Sequence, residues 1–352
     1  MRAEIGLGIQ SDKSPGAYAR IAEAAEAAGF DVLSVYADLL YQPPLVALLE
    51  MARATRRVRL GAACWNPYSL HPYEIAGQAA ALDAVATGRT YLGLARGTWL
   101  GQIGIEQPHP VGHLRDAVAV VRALLSGDAT GVTGEHFRLA PGTRLRYDLP
   151  ARLPPVLLGT WGPRTAALAG EIADEVKVGG SANPAMVAVI RDRIAVGTAR
   201  AGRSVDDVGV VVGAVTVVDT DPIVARTRAR REVAMYLAVV AELDPTAHVP
   251  ADLLRRVRER IAEGDDEGAG RLVPDDVLDL FAFSGDPDQV AAQAQRLIDA
   301  GAHRVEFGTP QGLTELGGLD LLGTAVLPQL VRGPTAAPGP RRAAGAPPPT
   351  AR

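Results

Sequence analysis

Residues 58–72, VRLGAACWNPYSLHP, begin as a buried strand and end as a loop crowded with polar and aromatic groups. Val58 and Leu60 alternate with Arg59, then give way to Gly61, Ala62 and Ala63, residues too small to fill a barrel interior. Another group must occupy that space. One reading places a flat, ring-shaped ligand against the backbone just before Cys64, Trp65, Asn66, Pro67 and Tyr68. The other is a close strand-helix crossing followed by a polar turn.

The same grammar, apolar strand then helix, repeats on both sides. Residues 3–10 (AEIGLGIQ) and 31–36 (DVLSVY) read as strands, each followed by helical sequence over 15–29 and 43–55. After 58–63 come a helix over 72–85 and the strand 89–95 (RTYLGLA), with a glycine-rich loop behind it. A helix near 112–125 is followed by a polar, turn-rich excursion at about 131–153, expected to be a hairpin. The repeat resumes with PVLLGT (155–160), EVKVGG (175–180), VGVVVGAVTVV (208–218) and HRVEFGT (303–309), interrupted by a long helical excursion at about 222–283. Eight strand-helix units predict a (β/α)8 TIM barrel, about 250 residues plus insertions. We therefore expect one domain over 1–333. A doubly wound open sheet uses the same grammar, but no G-x-G-x-x-G follows the first strand. The Pro/Ala-rich tail 334–352 has no apolar period and is expected to be disordered.

Composition narrows the function. The chain has 352 residues, 47% hydrophobic and 22% charged, which fits a globular protein with a sizeable core. No apolar run reaches the roughly 20 residues of a membrane helix, and the N-terminus lacks signal-peptide order, so a cytoplasmic location and no membrane partner are expected. Cys64 is the sole cysteine, which excludes an internal disulfide and a Cys-rich metal site. A net charge of −4, with Arg dispersed over helices, argues against a nucleic-acid surface. A small-molecule substrate is the expectation.

In a barrel the working groups follow the strands at their C-terminal ends. Those are Gln10, residues 36–38, 64–71, 96–99, 159–164 and 177–180, Thr216, and residues 306–309. Two clusters suit an anion. LLGTWGPRT puts Gly159 and Gly162 at a strand-to-helix turn, with Pro163 at the first helical position and Arg164 in the first turn. On the neighbouring strand Lys177 precedes Gly179 and Gly180, and the only other lysine is Lys13; a solvated charge is the competing reading. For proton chemistry the candidates are Asp38, His71, Glu106, His113 and Glu306. Asp38 suits a helix cap as well as a functional carboxylate, and His71 a cap before Pro72. Glu306, flanked by Val305 and Phe307, should face inward, where Arg96 could pair with it without any catalysis. No His/Asp/Glu group has metal-ligand spacing, so no metal is expected.

Taken together, residues 28–48 (AGFDVLSVYADLLYQPPLVAL), 59–97 (starting RLGAACWNPYSLHP), 157–184 (LLGTWGPRTAALAGEIADEVKVGGSANP) and 304–310 (RVEFGTP) resemble the bacterial luciferase-like superfamily. Within it they are most similar to deazaflavin-dependent reductases related to methylenetetrahydromethanopterin reductase. The resemblance implies a (β/α)8 barrel that binds coenzyme F420, or alternatively FMN, at the strand ends and dimerises through early helices. It implies an oxidoreductase passing hydride between reduced deazaflavin and an electron-poor C=C or C=N bond; the alternative is an FMN-dependent monooxygenase. By the same resemblance a non-prolyl cis bond at Ala63-Cys64 backs the ring and Asn66 stands at its edge. Gly97 and Thr98 contact the cofactor tail. Gly159, Thr160, Trp161, Gly162, Pro163 and Arg164 form the phosphate site, which Lys177, Val178, Gly179 and Gly180 complete. Two departures stand out. This chain has Tyr36-Ala37-Asp38 where those reductases carry Thr-Asp-His, and Gln10 where they carry glutamate. Asp38, then Glu306, are the candidates to supply the proton, beneath a mouth lined by Tyr36, Trp65, Tyr68, Trp99 and Trp161.

Overall fold

A short apolar strand needs a helix on its outer side, and the chain supplies one after nearly every strand. In a computed structural model the described residues are 2–333; the expectation of a disordered tail concerns 334–352, which lie outside them. The first half contains β1 (Glu4–Ile9), α1 (Ala17–Ala28), β2 (Val32–Val35), α2 (Pro44–Ala54), β3 (Arg59–Ala62), α3 (Pro72–Ala86), β4 (Leu92–Ala95) and α4 (Pro110–Ser126). The excursion that follows is the antiparallel pair β5 (Val132–Thr133) and β6 (Arg138–Leu139), the expected hairpin. Then come β7 (Val156–Gly159), α5 (Pro163–Ile172), β8 (Glu175–Gly179), α6 (Ala185–Ala201) and β9 (Gly209–Val218). Four helices follow: α7 (Pro222–Val240), α8 (Ala251–Ala262), α9 (Asp266–Leu272) and α10 (Asp275–Phe281). The last elements are β10 (Ala282–Gly285), α11 (Pro287–Asp299), β11 (Arg304–Gly312) and α12 (Glu315–Leu321).

The main ladder runs β3-β2-β1-β11-β9-β8-β7-β4, eight strands with every neighbour parallel. Bridges from Leu60 to Thr90 and from Trp65 to Leu94 join β3 to β4 and close the ring. The (β/α)8 barrel read from the alternation is therefore the fold. One detail differs. Residues 282 and 283, placed at the end of the helical excursion, belong instead to β10 (Ala282–Gly285), which pairs with Val215–Val218 of β9. All four residues of β10 are buried, Phe283 fully, and a short run buried on both faces suits an interior strand better than a helix end.

Leu, Ile, Val and Ala from strands and helices form the main core outside the ring, as Leu33, Leu60, Leu94 and Leu158 illustrate. Inside the ring the packing is different. An apolar layer of Val32, Tyr91, Leu157 and Val211 is small, and charged side chains fill much of the rest. Near the strand N-termini Arg59 Nη2 reaches Glu4 Oε2 at 2.6 Å and Glu175 Oε1 at 2.8 Å, and Arg304 Nη2 reaches Glu175 Oε2 at 2.8 Å. His303 joins them, 3.7 Å from Glu4 Oε2. Sequence spacing did not reveal this Glu4, Glu175 and His303 cluster; closure of the barrel creates it.

Burial opposes ionisation of Glu175, but the two guanidiniums beside it hold its carboxyl down at about 2, against an ordinary 4.5. A depressed folded-state value means the stabilisation is complete above the ordinary value and is lost as pH falls toward 2. We predict that the melting temperature falls through that acid window and falls less steeply in Glu175→Gln. The variant should also lose about 3–5 kcal/mol at neutral pH in urea unfolding, because two buried guanidiniums lose their counter-charge. Parallel wild-type and variant pH curves would contradict this.

Candidate active site

Above the ionic base the interior rises toward the mouth along β2, β8 and β11. Strand alternation turns Ser34, Lys177 and Glu306 inward at one level. Glu306 is fully buried; one of its carboxylate oxygens pairs with the Lys177 ammonium and the other accepts a 2.6 Å hydrogen bond from Ser34 Oγ. Tyr91 donates its hydroxyl to Ser34 Oγ at 2.7 Å and to the Gly61 carbonyl at 3.1 Å. Burial alone would raise the Glu306 carboxyl, but the Lys177 charge, then Arg304, hold it below the usual range.

Three expectations are corrected here. Glu306 is paired with Lys177 and Ser34 inside the barrel, so the proton donor expected at the mouth is instead part of an interior ion pair. Its partner is Lys177 and not Arg96, which is exposed on the rim. Lys177 is in turn buried inside the barrel against Glu306, away from the solvent-facing turn where a phosphate cation was expected. The space at Gly61 also has an occupant from the protein itself: a Cβ there would lie 2.6 Å from the Tyr91 ring.

The small residues nearer the mouth remain partly exposed. Ala63, Cys64, Ala95 and Gly159 are half-buried and adjacent; a Cβ on Gly159 would lie 3.0 Å from Cys64 Sγ and 3.2 Å from Ala95 Cβ. The peptide Ala63-Cys64 is cis, as expected. Burial pushes the Cys64 thiol up to about 12, so it stays a neutral thiol at physiological pH. Asn66 is buried, with Oδ1 accepting from the Tyr68 amide at 2.8 Å. Its amide nitrogen lies 1.9 Å from where a Cβ on Gly97 would stand, and Gly97 has φ +80°, so only glycine fits. Thr98 is exposed on the loop beyond.

Beside this shelf the β7-α5 turn is anchored to β8. Thr160 donates its amide to the Lys177 carbonyl at 2.9 Å, and Trp161 donates Nε1 to the Gly179 carbonyl at 3.0 Å. The N-cap of α5 is Gly162 with no side-chain cap, followed by Pro163 and an exposed Arg164. Gly179 is exposed and has nothing nearer to a Cβ than Lys177 Cε at 4.0 Å. Gly180 packs under Tyr236 and Val240 of α7, so the helical excursion backs this side of the mouth. Val178 instead turns outward into the main core, contrary to its expected place at the cofactor. Trp65 is likewise removed from the mouth: it is buried, and its Nε1 donates to Gln78 of α3 at 3.0 Å.

Asp38 stands at the opposite rim. Gln10 Nε2 donates to its Oδ2 at 3.0 Å. Crowding by the surrounding protein raises this carboxyl above the usual range, against the Gln10 hydrogen bond and the Lys177 charge, although its side chain opens to solvent. His71 caps α3, its Nδ1 accepting from the Tyr73 amide at 3.1 Å, and His113 Nε2 lies 3.0 Å from the Pro67 carbonyl. Neither faces the shelf as a free base. Sequence reasoning missed Ser34 and Tyr91, though period-two reading of Val32, Ser34, Tyr36 and Asp38 would have put Ser34 on the same inner face as Asp38.

Fold and site thus define a (β/α)8 barrel with a backbone shelf and an uncapped helix N-terminus at its C-terminal mouth. The chain belongs to the luciferase-like monooxygenase family, matching it over residues 2–304. It is 31% identical to a 5,10-methylenetetrahydromethanopterin reductase of Archaeoglobus fulgidus, over 87% of this chain and 93% of that one. An F420-dependent glucose-6-phosphate dehydrogenase of Nakamurella multipartita is 28% identical over 90% of this chain and 93% of its own. The solved coenzyme F420-dependent tetrahydromethanopterin reductase of Methanopyrus kandleri superposes with a TM-score of 0.86 at 25% identity, covering 94% of this chain and all of its own.

If the Lys177–Glu306 pair organises the interior, Glu306→Gln should cost about 3–5 kcal/mol in urea unfolding, since it strands a buried ammonium. A Lys177→Met/Glu306→Leu double variant should recover most of that loss. Equal stability of the single variant and wild type would rule out the pair as a structural element.

Proposed function

We propose that the protein is a coenzyme F420-dependent oxidoreductase. The observation that carries this reading is the open shelf of Ala63, Cys64, Ala95 and Gly159 beside the uncapped N-terminus of α5. The shelf suits a planar ring, and the helix terminus with Arg164 suits a phosphate. The names of the relatives support the deazaflavin over FMN. When bound, reduced deazaflavin supplies hydride and reacts little with oxygen, so the protein has only to hold and orient the acceptor.

The chain's own groups then divide the work. The first-turn amides of α5, with Arg164, hold the phosphate, while Gly97 and Asn66 set the ring edge. Tyr68, Trp99 and Trp161 supply apolar surface around the mouth for a small-molecule acceptor with an electron-poor C=C or C=N bond. Asp38, with its raised carboxyl open to solvent, supplies or relays the proton that the acceptor needs. Exposed Leu40 and Val46, at and beside α2, favour a homodimer through these early helices. Among the described residues no helix is long and apolar enough to cross a membrane, which is compatible with action in the cytoplasm.

The test is anaerobic mixing of protein, reduced coenzyme F420 and candidate acceptors, following the return of the oxidised cofactor's absorbance, beside a run with reduced FMN and oxygen. Turnover confined to the FMN run would reverse the assignment. Arg164→Ala should raise the F420 dissociation constant about tenfold to hundredfold, the loss of a charged hydrogen bond of roughly 1.5–3 kcal/mol. Asp38→Asn should lower kcat by about 100-fold or more.

A further inference from the structure

Of the inward side chains on β2 and its extension, Ser34 is bonded to Glu306 and Asp38 to Gln10. Tyr36 lies between them. Its ring crosses from β2 over β1, so that the hydroxyl oxygen lies 2.0 Å from where a Cβ on Gly8 would stand and 2.8 Å from one on Gly308. Only glycine at position 8 leaves it that room.

Everything except the hydroxyl is held. The Tyr36 amide donates to the Ile9 carbonyl at 2.9 Å and its carbonyl accepts from Ser11 Oγ at 3.2 Å. Gln311 Nε2 fixes Gly8 by donating to its carbonyl at 2.7 Å. Lys177 Nζ lies 5.1 Å from the ring centroid. The hydroxyl makes no hydrogen bond to any described residue, whereas those of Tyr91 and Tyr236 do. A half-buried phenol held in a fixed position, with no protein partner and its hydroxyl open to the mouth, is free to donate to a ligand there.

We propose that the Tyr36 hydroxyl donates a hydrogen bond to the hydride acceptor's heteroatom, a carbonyl oxygen conjugated to C=C or an imine nitrogen, and passes it a proton. This rests on the oxidoreductase reading above and assigns the group that touches substrate. When bound, reduced deazaflavin would supply the hydride, two electrons with one hydrogen nucleus, to the acceptor carbon, and its remaining ring proton would go to solvent. The acceptor's π pair moves to the oxygen or nitrogen, which takes the Tyr36 proton; an enol so formed reverts to the saturated ketone. The phenolate regains its proton from solvent at the open mouth. Burial, with the Glu306 and Asp38 charges behind it, keeps the phenol protonated far above its ordinary range, so the donor is present at any working pH.

The test begins without cofactor, using cyclohex-2-enone carrying 13C at the carbonyl as the probe. On the wild-type protein the bound carbonyl signal should lie downfield of its position on Tyr36→Phe, which removes a hydroxyl that no protein group uses. Gly8→Ala, which displaces the hydroxyl, should match Tyr36→Phe. The same signal on all three proteins, or no binding of the probe, would overturn the proposal. With reduced F420, Tyr36→Phe should lower kcat about 100-fold while the F420 dissociation constant is unchanged; an unchanged kcat would also overturn it. If the carbonyl shift is found but F420 does not bind, the cofactor reading fails and Tyr36 stands as a ligand-binding donor.

Discussion

Charges enclosed by a barrel must find each other, and that requirement shapes this interior. Lys177 and Glu306 sit on strands separated by β9, both nearly without solvent, and each removes the cost of burying the other. Ser34 donates to the carboxylate's other oxygen and is itself held by the Tyr91 hydroxyl. Lower down, Arg59 and Arg304 converge on Glu175. Such pairs admit few alternative registers, because shifting one strand by a residue would turn its charge out toward the helices. Small residues on intervening strands are the counterpart: Gly61 makes room for the Tyr91 ring and Gly8 for Tyr36.

This arrangement divides the barrel into a filled lower part and an open mouth. Beneath the shelf of Ala63, Cys64, Ala95 and Gly159 the interior is occupied by ion pairs and one apolar layer, while the shelf residues themselves stay half exposed. A planar ligand can therefore rest on backbone while fixed charges lie below it in a medium that screens them weakly. The two sides of the mouth differ in character. One has the β7-α5 turn, anchored to β8 and backed by α7; the other has Tyr36, Asp38 and Gln10, where the protonatable groups gather. That asymmetry suits a cofactor on one side and an acceptor on the other.

The alternation of apolar strands and helices in the sequence was enough for the barrel, because each strand's period and each helix's glycine or proline boundary is a local property. It also marked the mouth: small residues before Cys64 and the Gly159–Arg164 turn are local backbone signals, and both lie where the alternation put them. Inward orientation of Glu306 followed from its neighbours Val305 and Phe307. Only closure of the ring decided what these groups meet. Sequence made Lys177 look like a phosphate ligand and Arg96 a partner for Glu306, since strand ends and glycine turns are visible while cross-barrel distances are not. In the fold Lys177 lies across the barrel from Tyr36 and beside Glu306, 129 residues away in the chain. Trp65 looked like mouth lining because it follows the shelf directly; its bridge to Leu94 turns the indole toward α3 instead. Local pattern thus determined which residues form strands, turns and caps, and the tertiary structure alone decided which charges pair, which tyrosine keeps a free hydroxyl and which surfaces stay open, because those depend on strands meeting that are far apart in sequence.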